Sequence, residues 1–243
     1  VKSSILAGIA GIALAVSAAG AAQAETSAAA VAAVADAGRP AADTARDADR
    51  KPGEIVSFAG VKQGDIVAEI APGGGYYTRI LAKTVGPQGH VYAMMPSFFA
   101  SRPGGLDAIN KLAEEYGNVT VVVADFADFT LEKPVDLVWT TENYHDMANG
   151  NIAGINASVF KALKPGGIYF VEDHSAPGTG VSATSTIHRI DPAAVKEQVA
   201  AAGFKLEAES DLLVNPADPG NISPRDVKPG VSTKFALRFK KPG

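Results

Sequence analysis

The residues best suited to chemistry are three histidines that stand beside charged neighbours: Asn143-Tyr144-His145-Asp146, Asp173-His174 and His188-Arg189. Imidazole titrates near neutrality, so His145 can take a proton from a reacting group, with Asp146 orienting it or tuning its charge. A second reading stays open, in which His145 is a polar loop residue that caps a turn or is merely solvated. His174, His188 and Arg189 are candidate substrate contacts. Arg189 suits an acidic substrate, although pairing with Asp191 or Glu172 would also account for it. A histidine–aspartate metal site built from His145, His174 and nearby acids has no support from spacing, which matches no known ligand pattern. No metal ligand is expected.

A second stretch, Ile66 to Thr78, reads IVAEIAPGGGYYT. It predicts a buried strand ending near Glu69, a tight turn through Gly73, Gly74 and Gly75, and a helix that starts at the tyrosines. Glycine takes up φ > 0 without steric cost and lets a ligand approach the backbone. The free N–H groups of the following helix favour an anionic group. The bland alternative is a strand-to-helix turn that binds nothing.

The elements that must position these residues alternate. Strands are predicted at Asp65 to Ile70, His90 to Met94, Val119 to Val123, Val135 to Thr140, Ile168 to Glu172, Phe204 to Glu209 and Thr233 to Phe239. Helices are predicted at Asp43 to Ala59, Tyr76 to Val85, Leu106 to Tyr116, Ile152 to Leu163 and from Asp191 to Ala202. Tyr77, Ile80, Leu81 and Val85 recur at helical spacing. Asp191 is an N-cap with Pro192 at the first helical position. Val119 to Val123 is apolar throughout, as in a strand buried on both faces. Strand–helix alternation predicts an α/β fold, a Rossmann-like, mostly parallel sheet of seven strands with helices on both faces. The last two strands have no helix between them and are expected to pair antiparallel at one edge. The histidine and glycine stretches then lie at the carboxyl ends of strands, where open α/β sheets bind ligands.

Composition narrows the function. Of 243 residues, 47% are hydrophobic and 20% charged, so a core can be buried, and the net charge of −4 offers no basic face for nucleic acid. The absence of cysteine excludes disulfides and thiolate chemistry. Lys2, the apolar run Ile5 to Val16 and Ala22-Gln23-Ala24 have the pattern of a signal peptide cleaved after Ala24. The expected product is periplasmic or secreted, with no stable membrane anchor, a flexible leader over residues 25–42 and one domain over 43–243. A small molecule is the expected partner, and no oligomeric state is implied.

The order of features resembles the class I S-adenosylmethionine (SAM)-dependent methyltransferases over Asp43 to Lys241. Glu69-Ile70-Ala71-Pro72-Gly73-Gly74-Gly75 is similar to the family's acidic, glycine-rich first motif, with Ala71 in place of its first glycine. Lys164-Pro165-Gly166-Gly167 and Ala201-Ala202-Gly203-Phe204 also fit the family's pattern. More narrowly, PGGGYYT and NYHD on an exported chain resemble a group of predicted secreted bacterial methyltransferases. The resemblance implies SAM as cofactor. Its methionine end would meet Glu69, Ala71, Gly73, Gly74, Gly75 and Tyr77, with Asn143 near by. Asp125 would accept from the adenine amino group, and Phe126 or Tyr144 would pack on the adenine face. His145-Asp146 resembles the His-Asp pair of small-molecule O-methyltransferases. One departure stands out: Met94-Met95 occupies the place of the acid that bridges the ribose hydroxyls. That substitution and Thr78, which replaces the third glycine of a dinucleotide fingerprint, also count against a nicotinamide oxidoreductase. A non-catalytic nucleoside- or metabolite-binding protein on this fold is the alternative function.

Overall fold

The computed structural model describes residues 26–243. The signal-peptide expectation therefore lies outside the described residues. In chain order the elements are helices α1 (Ala28–Val34), α2 (Ala41–Thr44), α3 (Asp47–Arg50) and α4 (Pro52–Ala59), strand β1 (Ile66–Ile70), α5 (Tyr76–Val85) and β2 (His90–Pro96). They continue as α6 (Ser97–Ala100), α7 (Asp107–Tyr116), β3 (Val119–Ala124), β4 (Val135–Thr141), α8 (Tyr144–Met147), α9 (Ile152–Ala162) and β5 (Leu163–His174). The chain ends in α10 (Thr184–Ile187), α11 (Pro192–Ala201), β6 (Lys205–Ser210) and β7 (Lys234–Lys240).

The strands form one seven-stranded sheet in the order β3-β2-β1-β4-β5-β7-β6. β1 to β5 pair in parallel, and β7 runs antiparallel to both β5 and β6. This is the Rossmann-like architecture that strand–helix alternation predicts. The chain winds outward from β1 to β3, then returns to place β4 on the other side of β1. A crevice opens at that reversal, beyond the carboxyl ends of β1 and β4.

Side-chain alternation along the strands builds two cores. Val67, Val91, Leu137 and Trp139 face α1, α4, α5 and α7. Ala68, Tyr92, Val138 and Tyr169 face α9 and α11. Both sheet faces are thus covered by helices that obey local rules. The Asp191 side chain caps Ala193 N–H with Pro192 behind it. The Asn151 side chain caps Gly154 N–H at the start of α9.

Four sequence expectations need correction. Residues 28–34 of the leader form a docked helix: Ala30 and Ala33 of α1 are buried against α4 and α5, and Ser27 N–H donates to Ser57 Oγ at 2.8 Å. A stripe of small alanines lets the helix dock closely, which a search for large apolar side chains misses. The single helix predicted over Asp43 to Ala59 is broken at Lys51, whose φ of 44° is left-handed; proline at 52 disfavours a helical residue before it. Strand β3 is an edge strand with Val123 43% exposed, so its apolar run does not signify burial on both faces. β5 begins at Leu163 rather than Ile168, because Gly166 N–H and Gly167 C=O both pair with Lys241.

Candidate functional site

Two adjoining cavities lie beyond β1, β4 and β5. The first, about 230 Å³, is lined by Glu69, Ala71 to Gly74, Tyr76, Tyr77, Thr141, Glu142 and Asn143, with Asp43, Arg46 and Arg50 from the N-terminal arm. The second, about 430 Å³, holds His145, Asp146, His174 and His188 beneath the loop of residues 224–232. Arg46, Arg50, Glu142 and Asn143 line both.

The glycine turn behaves as its sequence demands. Gly73 and Gly75 have φ of 58° and 84°. No atom lies within 4 Å of where a Cβ would stand on Gly73 or Gly74, so that backbone is open to a ligand, whereas a Cβ on Gly75 would strike Leu112 at 2.4 Å. Ala71 also holds a left-handed φ of 55°, and Asn143 Nδ2 donates to its carbonyl at 3.2 Å. α5 has no side-chain cap at its N-terminus, which leaves its first amides to a ligand.

Glu69 is 2% exposed, and its one side-chain partner among the described residues is Thr78 Oγ1, which donates to it at 2.6 Å. Burial pushes its carboxyl up to about 7, against the lowering effects of the Thr78 hydroxyl and the Arg79 charge. Such a group gains most from a bound cation. Thr78, which breaks the dinucleotide pattern, is thus the residue that holds Glu69.

An ion network closes the floor between the cavities. Lys234 Nζ lies 2.9 Å from Glu172 and 3.0 Å from Glu142, and Arg50 lies 2.5 Å from Glu142. Burial opposes the charge on Glu142, yet Lys234 and Arg50 hold its carboxyl far below the usual range. Tyr77 is buried against Trp139 and donates to Glu172 at 3.4 Å. The arm is fastened by further pairs, Asp43 to Arg79 at 3.0 Å and Asp47 to Arg39 and to the Tyr76 hydroxyl, each at 2.7 Å. Arg46 stacks over Tyr76 with its guanidinium 5.0 Å from the ring centre, and it has no carboxylate partner among the described residues.

In the larger cavity His145 is 4% exposed. Its orienting partner is Asp173, not Asp146 as expected from adjacency. Asp173 Oδ2 accepts the His145 backbone N–H at 2.7 Å, and Oδ1 lies 2.8 Å from Nδ1 of the ring. Oδ1 also accepts the His174 backbone N–H at 2.7 Å. A carboxylate already taking two amides keeps the proton on Nδ1 of neutral His145, so Nε2 carries the lone pair. Burial disfavours the imidazolium, but the hydrogen bond and charge of Asp173 overcome it and raise the pKa of His145. Asp146 lies on the other side, 3.4 Å from Nε2. His174 is pushed down to about 4, chiefly by burial, and binds Ser232 Oγ at 2.8 Å. The polar-loop reading of His145 does not survive: the ring is buried and locked.

The structure brings together Glu69, Ala71, Gly73, Gly74, Tyr77 and Asn143 around one cavity, and His145, Asp146, His174 and His188 around the other. Others fall outside. Tyr144 is fully buried, with Asn156 donating to its hydroxyl at 2.9 Å, so it packs in the core and offers no face to a ligand. Arg189 is also fully buried, and Asp218 takes its guanidinium at 2.8 and 2.9 Å; neither Asp191 nor Glu172 does so. It is an anchor for the loop rather than a substrate contact. Asp125 sits beyond β3 and turns back to Ala127 N–H at 2.9 Å, and neighbouring Phe126 packs partly into the second core. Met94 and Met95 are buried in the two cores, and no acid occurs from Met94 to Ala100. Sequence reasoning missed Arg46, Arg50 and Glu142, and it placed Asp173 on the rim beside His174 without pairing it to His145; all four reach the site through tertiary packing. Glu142 left no local signal, yet it is strained: Ala71, Glu142 and His188 are three of the four non-glycine residues with φ > 0 among the described residues. Strain of this kind concentrates at functional sites.

Residues 67–167 match the methyltransferase domain family. A curated relative, the protein-L-isoaspartate O-methyltransferase of Ignicoccus hospitalis, is 30% identical over 127 residues, which is 51% of this chain and 54% of the relative. The chain thus matches about half the length of that protein. Among solved structures, the glycopeptide N-methyltransferase MtfA complexed with SAM has a TM-score of 0.55 at 18% identity, over 78% of this chain and 86% of its own. The [4+2]-cyclase SpnF has a TM-score of 0.60 at 16% identity, over 80% and 81%. These likenesses show a shared fold.

Proposed function

We propose that the chain is a SAM-dependent methyltransferase that acts on a small molecule. The observation that carries this reading is the pairing of two cavities across shared walls. One has an open glycine backbone and a buried carboxylate; the other has an oriented histidine. The cofactor's chemical groups fit the first. Glu69 would hold the ammonium, and Arg46 with the first amides of α5 would hold the carboxylate. At the ribose position the fit lacks an acid. When bound, SAM supplies an electrophilic methyl group.

The acceptor would occupy the histidine cavity. His145, with Asp173 behind it, takes the acceptor's proton at Nε2. Asp173 stabilises the imidazolium that forms and fixes the ring's orientation. The lid of residues 224–232 and the arm bearing Arg46 and Arg50 limit access by water and set the size of the acceptor. Enclosure under these segments favours a small molecule over a folded protein. The relative's name points instead to a protein acceptor, so isoaspartyl peptides belong in the acceptor screen. The likeness to SpnF keeps a second reading in view, in which the fold binds a nucleoside or metabolite without methyl transfer.

Calorimetry with SAM and S-adenosylhomocysteine tests the proposal. Micromolar binding is expected, and binding that weakens at least tenfold in Glu69→Gln. No heat at millimolar ligand would overturn it. We also propose export with cleavage after Ala24, on the n-region, apolar run and A-x-A pattern. N-terminal sequencing of protein from the periplasmic fraction should begin at Glu25.

A further inference from the structure

We propose that His145, Asp146 and His188 form a binding site for a divalent transition-metal ion, with Zn²⁺ the best match. The three ligand atoms lie within 4.8 Å of one another. Asp146 Oδ1 is 3.4 Å from His145 Nε2 and 3.5 Å from His188 Nδ1. Ligands of a tetrahedral ion with bonds of about 2.1 Å stand about 3.4 Å apart. Both edges that meet at Asp146 have that length.

Hydrogen bonding does not account for the arrangement. Separations of 3.4 and 3.5 Å are long for an imidazole–carboxylate hydrogen bond. His188 Nδ1 is buried and has no hydrogen-bond partner among the described residues. His188 holds a left-handed φ of 52° at the end of α10, a conformation that favours glycine. Buried Arg189, clamped by Asp218, fixes the backbone beside it. The chain maintains a strained residue that aims an unpaired nitrogen at Asp146.

The surroundings suit a cation. Asp173 takes Nδ1–H of His145 at 2.8 Å and leaves the Nε2 lone pair facing the trio. A carboxylate behind a ligating imidazole is the usual outer-shell support of a metal-bound histidine. Asp146 and Asp173 together balance a charge of +2. Two imidazoles and one carboxylate select a borderline ion such as Zn²⁺ over Mg²⁺ or Ca²⁺, which prefer oxygen. The trio lines the larger cavity, so a further coordination position faces the space assigned to the acceptor. An oxygen-bearing acceptor placed there would be polarised by the ion. With the ion present, Nε2 of His145 is a ligand, and its role as proton acceptor belongs to the ion-free protein.

The site can be tested without cofactor or acceptor, and so independently of the methyltransferase reading. Untagged, EDTA-stripped protein should bind one Zn²⁺ by calorimetry with Kd below about 10 µM. His188→Ala and Asp146→Ala should each weaken binding at least tenfold, and Asp173→Asn on the order of 10–100-fold. Co²⁺-loaded protein should show the visible absorption of a four-coordinate site, lost in His188→Ala. Circular dichroism and thermal melting report whether each variant is folded, and SAM calorimetry on the parent tests the methyltransferase reading separately. Binding weaker than about 100 µM, or affinity unchanged in both His188→Ala and Asp146→Ala, would overturn the proposal. Loss of SAM binding with Zn²⁺ binding retained would leave the metal site standing and remove the methyltransferase reading.

Discussion

Replacing Glu69 with Gln should make the protein more stable and a poorer binder at the same time. Glu69 is buried, and its carboxyl is raised from an ordinary value of 4.5 to about 7. The folded state therefore holds this proton more tightly than the unfolded chain does. With respect to this group, stability is complete below pH 4.5 and is lost as pH rises through 7. The loss amounts to about 3 kcal/mol by pH 8 and to less than about 1 kcal/mol at pH 5. Glutamine has nearly the same shape, carries no charge and can still accept from Thr78 Oγ1. Urea denaturation at the two pH values should show Glu69→Gln more stable by about 2–3 kcal/mol at pH 8, with most of the gain gone at pH 5. Calorimetry on the same samples should show SAM affinity lowered by about 10–100-fold, the size of a lost hydrogen bond to a charged group. A variant less stable than the parent at pH 8, or equally stabilised at both pH values, would refute the reasoning. In the parent, SAM affinity should also fall below pH 7, as the carboxylate that meets the ammonium becomes protonated.

Other consequences can be checked separately. Asp173→Asn removes the charge that overcomes the burial of His145, so its imidazole pKa, followed by NMR, should drop below that of the parent; no change would remove Asp173 as its partner. Turnover, once an acceptor is found, should fall by on the order of 10²–10⁴-fold in the same variant. Lys234→Met leaves buried Glu172 without its cationic partner and Glu142 with Arg50 alone, and chemical denaturation should show a loss of about 3–5 kcal/mol. Ala71→Gly relieves a left-handed alanine that costs about 1–2 kcal/mol, less the extra chain entropy of glycine, and should raise stability by up to about 1 kcal/mol in the same assay.

The framework was legible because β1 to β5 each carry a short apolar run, and those runs survive in the sheet with ends shifted by a few residues. Glu69 and the glycines were legible for the same reason: their chemistry is local, held within one strand–turn–helix unit. What stayed hidden depends on distance along the chain. His145 and Asp173 are 28 residues apart, and their hydrogen bonds exist only because β4 and β5 pair with Thr141 beside Glu172. Arg50 and Glu142 are 92 residues apart and meet only because the arm crosses the glycine turn. Adjacency misled in the case of Asp146, since neighbouring side chains on a short helix need not share a partner. Tyr144 misled for a related reason: its place after β4 suggests a rim, but its ring turns inward toward Asn156.

The placement of β7 governs when this molecule can finish folding. Residues 234–240 follow β5 and β6 in the chain, yet they slot between these two strands, and β6 has no other neighbour among the described residues. Until they emerge, Phe235, Leu237 and Phe239 are missing from the interior and the flank of β5 stays open. The edge of the sheet therefore closes only once residues 234–240 are available to pair with both of the strands that precede them in the chain.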